Sequence, residues 1–327
     1  MRVRVSLGTA AVLGLCRCRL DAELTTAYLM LYHEGRCRAN CGFCPQARES
    51  TSRLDMLSRV VWPPYELGDV VEALAGSTKF KRICVQAVNY PGFWSDLVQV
   101  VSELSDTDLP MSVCCQPVGR EMVWELRDLG VERVGIPVDA ATPGLFDVVK
   151  GRSAGGPYTW SGHMEALREA LEVFGRWMVS THLIVGLGET ELEAVEFIQN
   201  MADMGVLTGL FAFTPVRGTR LEGLGRPDLR SYRRIQLAHT LIYKGLSSLD
   251  RMEFDGRGRI TCFGVDRETL LDLALSGEPF VTKGCPGCNR PFYNESPGGP
   301  MYNYPYRPSR EEALREASLL GLLDDAA

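Results

Sequence analysis

"TTAYLMLYHEGRCRANCGFC", residues 25–44, runs from a strand-favouring stretch straight into a loop carrying three thiols. Residues 25–33 are rich in aromatic and aliphatic side chains and stop at Gly35, which predicts a strand ending in a turn. Cys37, Cys41 and Cys44 follow with the spacing C-x3-C-x2-C. Three thiolates on one tight loop can hold three irons of a four-iron, four-sulfur cube and leave the fourth iron for a non-protein ligand. A structural zinc site normally takes four protein ligands, so three with this spacing suit zinc less well.

Outward from that loop the same alternation recurs. Strand-like runs at 80–87, 110–115, 131–138, 177–185 and 207–215 are separated by helical patterns at 93–105, 119–129, 162–174, 190–203 and 228–243. Six strands, each followed by something helical, imply an α/β fold with a parallel sheet wrapped by helices: a partial (β/α)6 TIM-type barrel, with a doubly wound open sheet as the alternative. In such a barrel the reactive groups gather where strands end and loops begin. The simplest partition is an N-terminal arm (1–24), a barrel (25–245) and an irregular C-terminal metal-binding cap (246–327) that ends in an amphipathic helix.

The chain has 327 residues, enough for a large core, and a formal charge of -6 that argues against nonspecific affinity for nucleic acid. Its eleven cysteines show no secreted-scaffold spacing, which points to a reducing, cytoplasmic compartment and to metal ligation. "AAVLGLC", residues 10–16, imitates a short signal segment, but its apolar run is brief and Leu15 precedes Cys16 where processing wants a small residue. No later stretch reaches transmembrane length, so no membrane partner is expected.

With Phe43 before Cys44, "GRCRANCGFC" resembles the hallmark of the radical S-adenosylmethionine (radical SAM) enzymes. The resemblance implies a [4Fe-4S] cluster on Cys37, Cys41 and Cys44, with an open iron that chelates S-adenosylmethionine and cleaves it to a 5'-deoxyadenosyl radical. "STHLIVGLGET", 180–190, is similar to the fifth strand and following turn of those barrels, which would bring Gly186 and Glu189 near the adenosine; a plain tight turn and helix start is the competing account. The usual glycine-glycine-acidic signature after the second strand is missing. "CVQAVNYPG", 84–92, stands there instead and offers Gln86 and Asn89 as polar contacts to the cofactor. Asp139, at a strand end before Pro143, is the substrate-side catalytic candidate, and His182 reads equally as core or cavity. "FTPVRGTRLEG", 213–223, resembles a segment of biotin synthase-like barrels and offers Arg217 to a carboxylate or phosphate. Cys84, Cys114 and Cys115, within strand runs, read as buried packing.

"TKGCPGCNRPFYNESPGG", 282–299, holds a second pair, Cys285 and Cys288. Together with Cys262 in "RITCFG" they are expected to bind a second [4Fe-4S] cluster, with Cys16 or Cys18 of the N-terminal arm as fourth ligand; zinc, or no metal, are the alternatives. The chain as a whole is similar to the biotin synthase-like branch, in particular to archaeal two-protein lipoyl synthases, through "LSRVVWP", "THLIVGLGET" and "GCPGCNRPFYNESPGG". The C-x4-C-x5-C pattern of other lipoyl synthases is absent. That narrower resemblance implies sulfur insertion into a protein-bound octanoyl chain, hence a sulfurtransferase. It also implies a lipoyl carrier protein or domain, a companion radical SAM protein and a ferredoxin-like reductant as partners, with the tyrosine-rich stretch 292–308 as one interface. A radical SAM methyl transfer or rearrangement in cofactor biosynthesis is the alternative, and a noncatalytic electron-transfer subunit is a third reading.

Overall fold

A computed structural model describes residues 1–295 and 298–323. Six parallel strands are the frame: β2 (Thr26–Leu31), β6 (Arg82–Gln86), β7 (Met111–Cys114), β8 (Val131–Gly135), β9 (Val179–Val185) and β10 (Leu207–Ala212). They lie side by side in chain order, β2-β6-β7-β8-β9-β10, the order of a barrel rather than of a doubly wound sheet. Between them run α2 (Leu67–Ala75), α3 (Phe93–Leu104), α4 (Arg120–Asp128), α5 (Pro143–Val149), α6 (Trp160–Phe174) and α7 (Glu191–Met204), and α8 (Leu229–Tyr243) follows β10. The α/β fold and partial barrel expected from the alternation are therefore present. α5 is the exception: the sequence suggests only a turn there, yet Pro143 sits at its first positions and Thr142 caps it, its side chain accepting from Leu145 N.

The first 24 residues, read as an arm, carry β1 (Arg2–Val5) and α1 (Leu7–Val12), and β1 pairs antiparallel with β2, Val3 opposite Leu31. On its other side β1 receives β5 (Pro64–Glu66), and a two-residue pairing of β3 (Met56–Leu57) with β4 (Val60–Val61) lies between. After the barrel come a hairpin of β11 (Glu253–Phe254) and β12 (Ile260–Cys262), then α9 (Arg267–Leu275) and α10 (Arg310–Leu319). α10 begins in a capping box, Ser309 and Glu312 bonding reciprocally across the first turn. Residues 324–327 of the expected terminal helix lie outside the described residues. No described helix is long and apolar enough to cross a membrane.

Side-chain alternation turns every second strand residue into the barrel. Cys84 and Gln86 on β6, Ser112 and Cys114 on β7, and Ser180 and His182 on β9 share one internal cavity. A TIM-type interior is usually filled by branched side chains. Here two inward positions are Gly135 and Gly209, and a Cβ on Gly135 would stand 3.1 Å from the Ser180 hydroxyl. Gly135, Gly209, Ser112 and Ser180 leave space between the longer inward side chains of Tyr28, Gln86, His182 and Phe211.

The irregular segment after α9 completes the wall. Arg290 N donates to the Tyr28 hydroxyl on β2 at 2.8 Å, while the Arg290 guanidinium lies 3.9 Å over the Phe211 ring on β10. Thr214 Oγ1 donates to Asn294 O at 3.1 Å. The tail thus bridges the first and last parallel strands. Its anchor is Arg233 of α8, fully buried, whose Nε and Nη2 bond the two oxygens of Glu316 on α10 at 2.6 and 2.9 Å. Nη1 donates to Tyr302 O at 2.6 Å, and the Tyr304 hydroxyl adds a bond to Glu316 at 2.7 Å.

Removing one partner of a buried pair leaves the other charge unmatched and costs about 3–5 kcal/mol, more than the pair contributes over an apolar replacement. Arg233→Met is therefore expected to lower unfolding free energy by about that amount, and Arg233→Met with Glu316→Leu by clearly less; equal losses in chemical denaturation would contradict the assignment. Acid adds a second test. His239 on α8 donates Nε2–H to Thr208 O at 2.8 Å, its Nδ1 has no partner among the described residues, and burial pulls its pKa down to about 3. The folded state then stays neutral there while the unfolded chain protonates below about pH 6.5, so this histidine removes up to about 1.4 kcal/mol of stability per pH unit on acidification. His239→Gln should lose less stability between pH 7 and pH 5 than the unaltered chain.

Candidate active site

The first cysteine loop lies at the carboxyl end of β2, clasped from three sides. Gly42 N donates to Val149 O at 2.8 Å, Leu221 N donates to Gly42 O at 2.9 Å, and Asn40 Nδ2 donates to Ala154 O at 2.8 Å. A Cβ on Gly42 would press within 3.0 Å of Arg220 and Leu221, so the clasp leaves no room for a side chain. Within the loop Cys37 N bonds Gln46 O at 2.9 Å and Cys44 N bonds Cys41 O at 3.0 Å. All three thiols and Phe43 line the internal cavity, and Phe43 packs on Phe213 and Val149.

Burial holds these thiols protonated: it raises the Cys37 pKa, pushes Cys41 up to about 12, and takes Cys44 higher still, with neighbouring thiols adding to the rise. Among the described residues no three His, Cys, Asp or Glu side chains converge on one metal ion. One tetrahedral zinc would draw its sulfurs to about 3.8 Å apart, given a Zn–S bond of about 2.3 Å. A cube takes each thiolate on a separate iron, and three cysteines on a clasped loop facing the cavity fit that demand.

Gln86 and Asn89 stand on the same wall. Gln86 Nε2 donates to Cys84 Sγ at 3.0 Å, and Asn89 Nδ2 donates to the Tyr158 hydroxyl at 2.7 Å while its carbonyl accepts from Arg38 N at 2.7 Å. Asp139 also faces the cavity, from a backbone with φ 73°, a left-handed conformation that aspartate tolerates. Its Oδ2 accepts from Lys150 Nζ at 2.7 Å, and His182 Nδ1 lies 3.9 Å from Oδ1. Lys150 is fully buried and also bonds Pro137 O. This lysine escapes sequence reading because "DVVKGR" carries no mark of a buried cation; the fold alone brings it to Asp139.

Other expected positions lie elsewhere. Glu189 turns back on its own loop, accepting from Gly186 N at 2.5 Å and Leu187 N at 3.1 Å, and burial raises its pKa. Gly186, with φ 102°, packs against Pro227. Neither belongs to the cavity wall, and Arg217 is exposed. Cys285 and Cys288 do line the cavity, but Cys262 does not: it sits in the β11–β12 hairpin, its sulfur accepting from Gly264 N at 3.4 Å. Cys16 lies with its sulfur toward Leu7 O at 3.9 Å, and exposed Cys18 borders a smaller second cavity. Cys262 and Cys16 are thus absent from the wall that carries the C-terminal pair, while the second cavity of Cys18 shares Tyr28 and Arg290 with that wall. Cys84, read as packing, shares the cavity with that pair.

The family model of the Radical SAM superfamily matches residues 31–201, more than half of the chain, and the chain belongs to that superfamily. No curated protein matches it in sequence. Among solved structures it is similar to HydG, a maturase of the [FeFe]-hydrogenase, with TM-score 0.52 and 14% identity over 68% of this chain and 50% of that one. Methylornithine synthase (PylB) gives TM-score 0.51 and 14% identity over 72% and 67%, and HydG from Carboxydothermus hydrogenoformans 0.51 and 15% over 73% and 56%. The chain thus spans only half to two thirds of these proteins, and at such identities the likeness is one of fold. None of the three is a biotin synthase or a lipoyl synthase.

Asp139→Asn in the metal-free protein should cost about 3–5 kcal/mol of unfolding free energy by stranding the Lys150 charge, and adding Lys150→Met should recover much of it. Denaturant titrations of both variants check this; additive losses would mean that the two side chains do not act as a pair.

Proposed function

We propose that this radical SAM enzyme inserts sulfur into unactivated carbon, as in conversion of a protein-bound octanoyl group to a lipoyl group. One observation carries the reading: Cys285 and Cys288 open onto the same cavity as Cys37, Cys41 and Cys44. A chain that only made a radical would need one thiol set, whereas sulfur insertion needs a radical source and a sulfur source within reach of one substrate.

Cys37, Cys41 and Cys44 would hold the radical-generating [4Fe-4S] cluster, and Gln86 and Asn89 offer polar groups beside it for S-adenosylmethionine. When bound, cluster and cofactor together supply a 5'-deoxyadenosyl radical by one-electron cleavage to methionine. The chain's own residues enclose that radical: Phe43 and Phe213 narrow the cluster side, while Met30, Ile184, Phe211 and Tyr293 present apolar surface suited to a saturated acyl chain. Excluding water protects the radical from side reactions. Asp139, fixed by Lys150, gives the wall a charge-balanced polar point that would orient the substrate. Each insertion would replace a C–H bond by C–S: the hydrogen atom leaves on 5'-deoxyadenosine, the sulfur comes from a sulfide held at the C-terminal thiols, and the second electron passes to the iron that held it. A lipoyl carrier domain, a companion radical SAM protein and a ferredoxin-like reductant are the partners that this reading needs. Ser296 and Pro297 of the proposed carrier-facing stretch 292–308 lie outside the described residues.

A sulfur-free radical reaction, such as methyl transfer or rearrangement, is what family membership supports by itself; the second thiol pair is what favours sulfur chemistry. Incubation with S-adenosylmethionine, reductant and an octanoyl-lysine peptide, after reconstitution with isotopically labelled sulfide, separates them. Labelled sulfur in the peptide is expected. Stoichiometric 5'-deoxyadenosine with a sulfur-free product would refute sulfur insertion, and Cys41→Ala should abolish cofactor cleavage under either reading.

A further inference from the structure

"CPGC", residues 285–288, is built as a turn: Cys288 N donates to Cys285 O at 2.9 Å, Pro286 holds the second position, and Gly287 takes the left-handed third position with φ 79°. That is the form of a type II turn, whose proline and glycine bring the two flanking residues together. The turn is pinned beneath the starts of the barrel strands. Thr25 Oγ1 and Thr26 Oγ1 donate to Gly287 O at 2.5 and 3.1 Å, and Arg82 Nε donates to Pro286 O at 3.2 Å. The pair therefore enters the cavity from the amino-terminal mouth of the barrel, opposite the loop of Cys37, Cys41 and Cys44.

Strand register identifies what it meets there. Cys84 on β6 stands between its register partners Tyr28 on β2 and Ser112 on β7. The Tyr28 hydroxyl is 3.4 Å from Cys288 Sγ, and the Ser112 hydroxyl is 3.7 Å from Cys285 Sγ. The C-terminal thiols thus touch the two residues flanking Cys84, and all three sulfurs face one cavity. Arg290, two residues past Cys288, brings a half-buried guanidinium into the same wall, a counter-charge for an anionic thiolate cluster.

We propose that Cys84, Cys285 and Cys288, one thiol from a barrel strand and two from the tail, hold a second iron-sulfur cluster in the amino-terminal mouth of the barrel. The site rests on the sulfur-insertion reading only for its purpose; its ligands stand on geometry. Cys262, Cys16 and Cys18 take no part. With three protein ligands, the remaining iron faces the cavity, where the substrate lies between two centres that approach from opposite ends. A structural zinc would require a fourth protein donor.

Anaerobic reconstitution of the full chain, with iron and sulfide analysis and Mössbauer spectra, tests the ligand set. The unaltered chain should bind about eight irons and a Cys37/Cys41/Cys44 triple-alanine variant about four, as cubes. In that triple background Cys84→Ser and Cys84→Ala should each fall below about one iron, as should Cys285→Ser, whereas Cys262→Ser should keep about four. Far-UV circular dichroism of each variant establishes that the barrel is folded. Iron retained in both Cys84 variants, iron lost in Cys262→Ser, or zinc without iron in the triple variant would overturn the proposal. Product analysis is independent: a sulfur-free product with the iron counts intact removes the sulfur-insertion reading and leaves the site standing, while labelled sulfur with iron retained in both Cys84 variants does the reverse.

Discussion

The paired oxygens of Glu316 on the guanidinium of Arg233 hold the tail of this chain to its barrel. A fork-to-fork pair fixes orientation as well as distance, and here both partners are buried, so the pair has no hydrated alternative geometry. Through Tyr302 and Tyr304 it sets the path of the irregular segment, and that path places Arg290, Cys288 and Cys285. That path carries the C-terminal thiols to their side of the cavity.

Cavity and fold follow from the same alternation. Strand residues point in or out by parity, so the small ones among the inward set leave room in the interior while the outward ones pack on helices. Stability must then come from the outer layer of the sheet and its helices, where Ile83, Val85, Val113 and Val179 are fully buried. The interior is left to side chains whose value lies in chemistry: thiols, Gln86, His182 and the Asp139–Lys150 pair.

The strands were legible because β-branched and aromatic runs recur between helical periods, and Thr26–Leu31 through Leu207–Ala212 fall inside the stretches read from sequence. The first cysteine loop was legible because its spacing is local. The partners of Cys285 and Cys288 were not: proximity along the chain favoured Cys262, yet a hairpin directs that thiol elsewhere. Cys84 looked like packing because a lone cysteine in an apolar strand carries no sign of which face it takes; that depends on register against Tyr28 and Ser112, fixed only in the sheet. Glu189 is engaged by the backbone of its own turn, a contact that its place in the motif did not announce. Lys150 shows that a buried charge is invisible until its counter-ion is in place.

Tyr28 and Cys288, in contact across the cavity floor, are 260 positions apart in sequence. During synthesis β2 emerges well before the segment that meets it, and for that interval the barrel's amino-terminal mouth lacks the tail. Contacts of such range form late, after the closure entropy of the intervening chain has been met by the rest of the fold. The hollow is therefore a vessel whose base is fitted after its walls, and whatever must be placed at the base has its widest access before the tail docks.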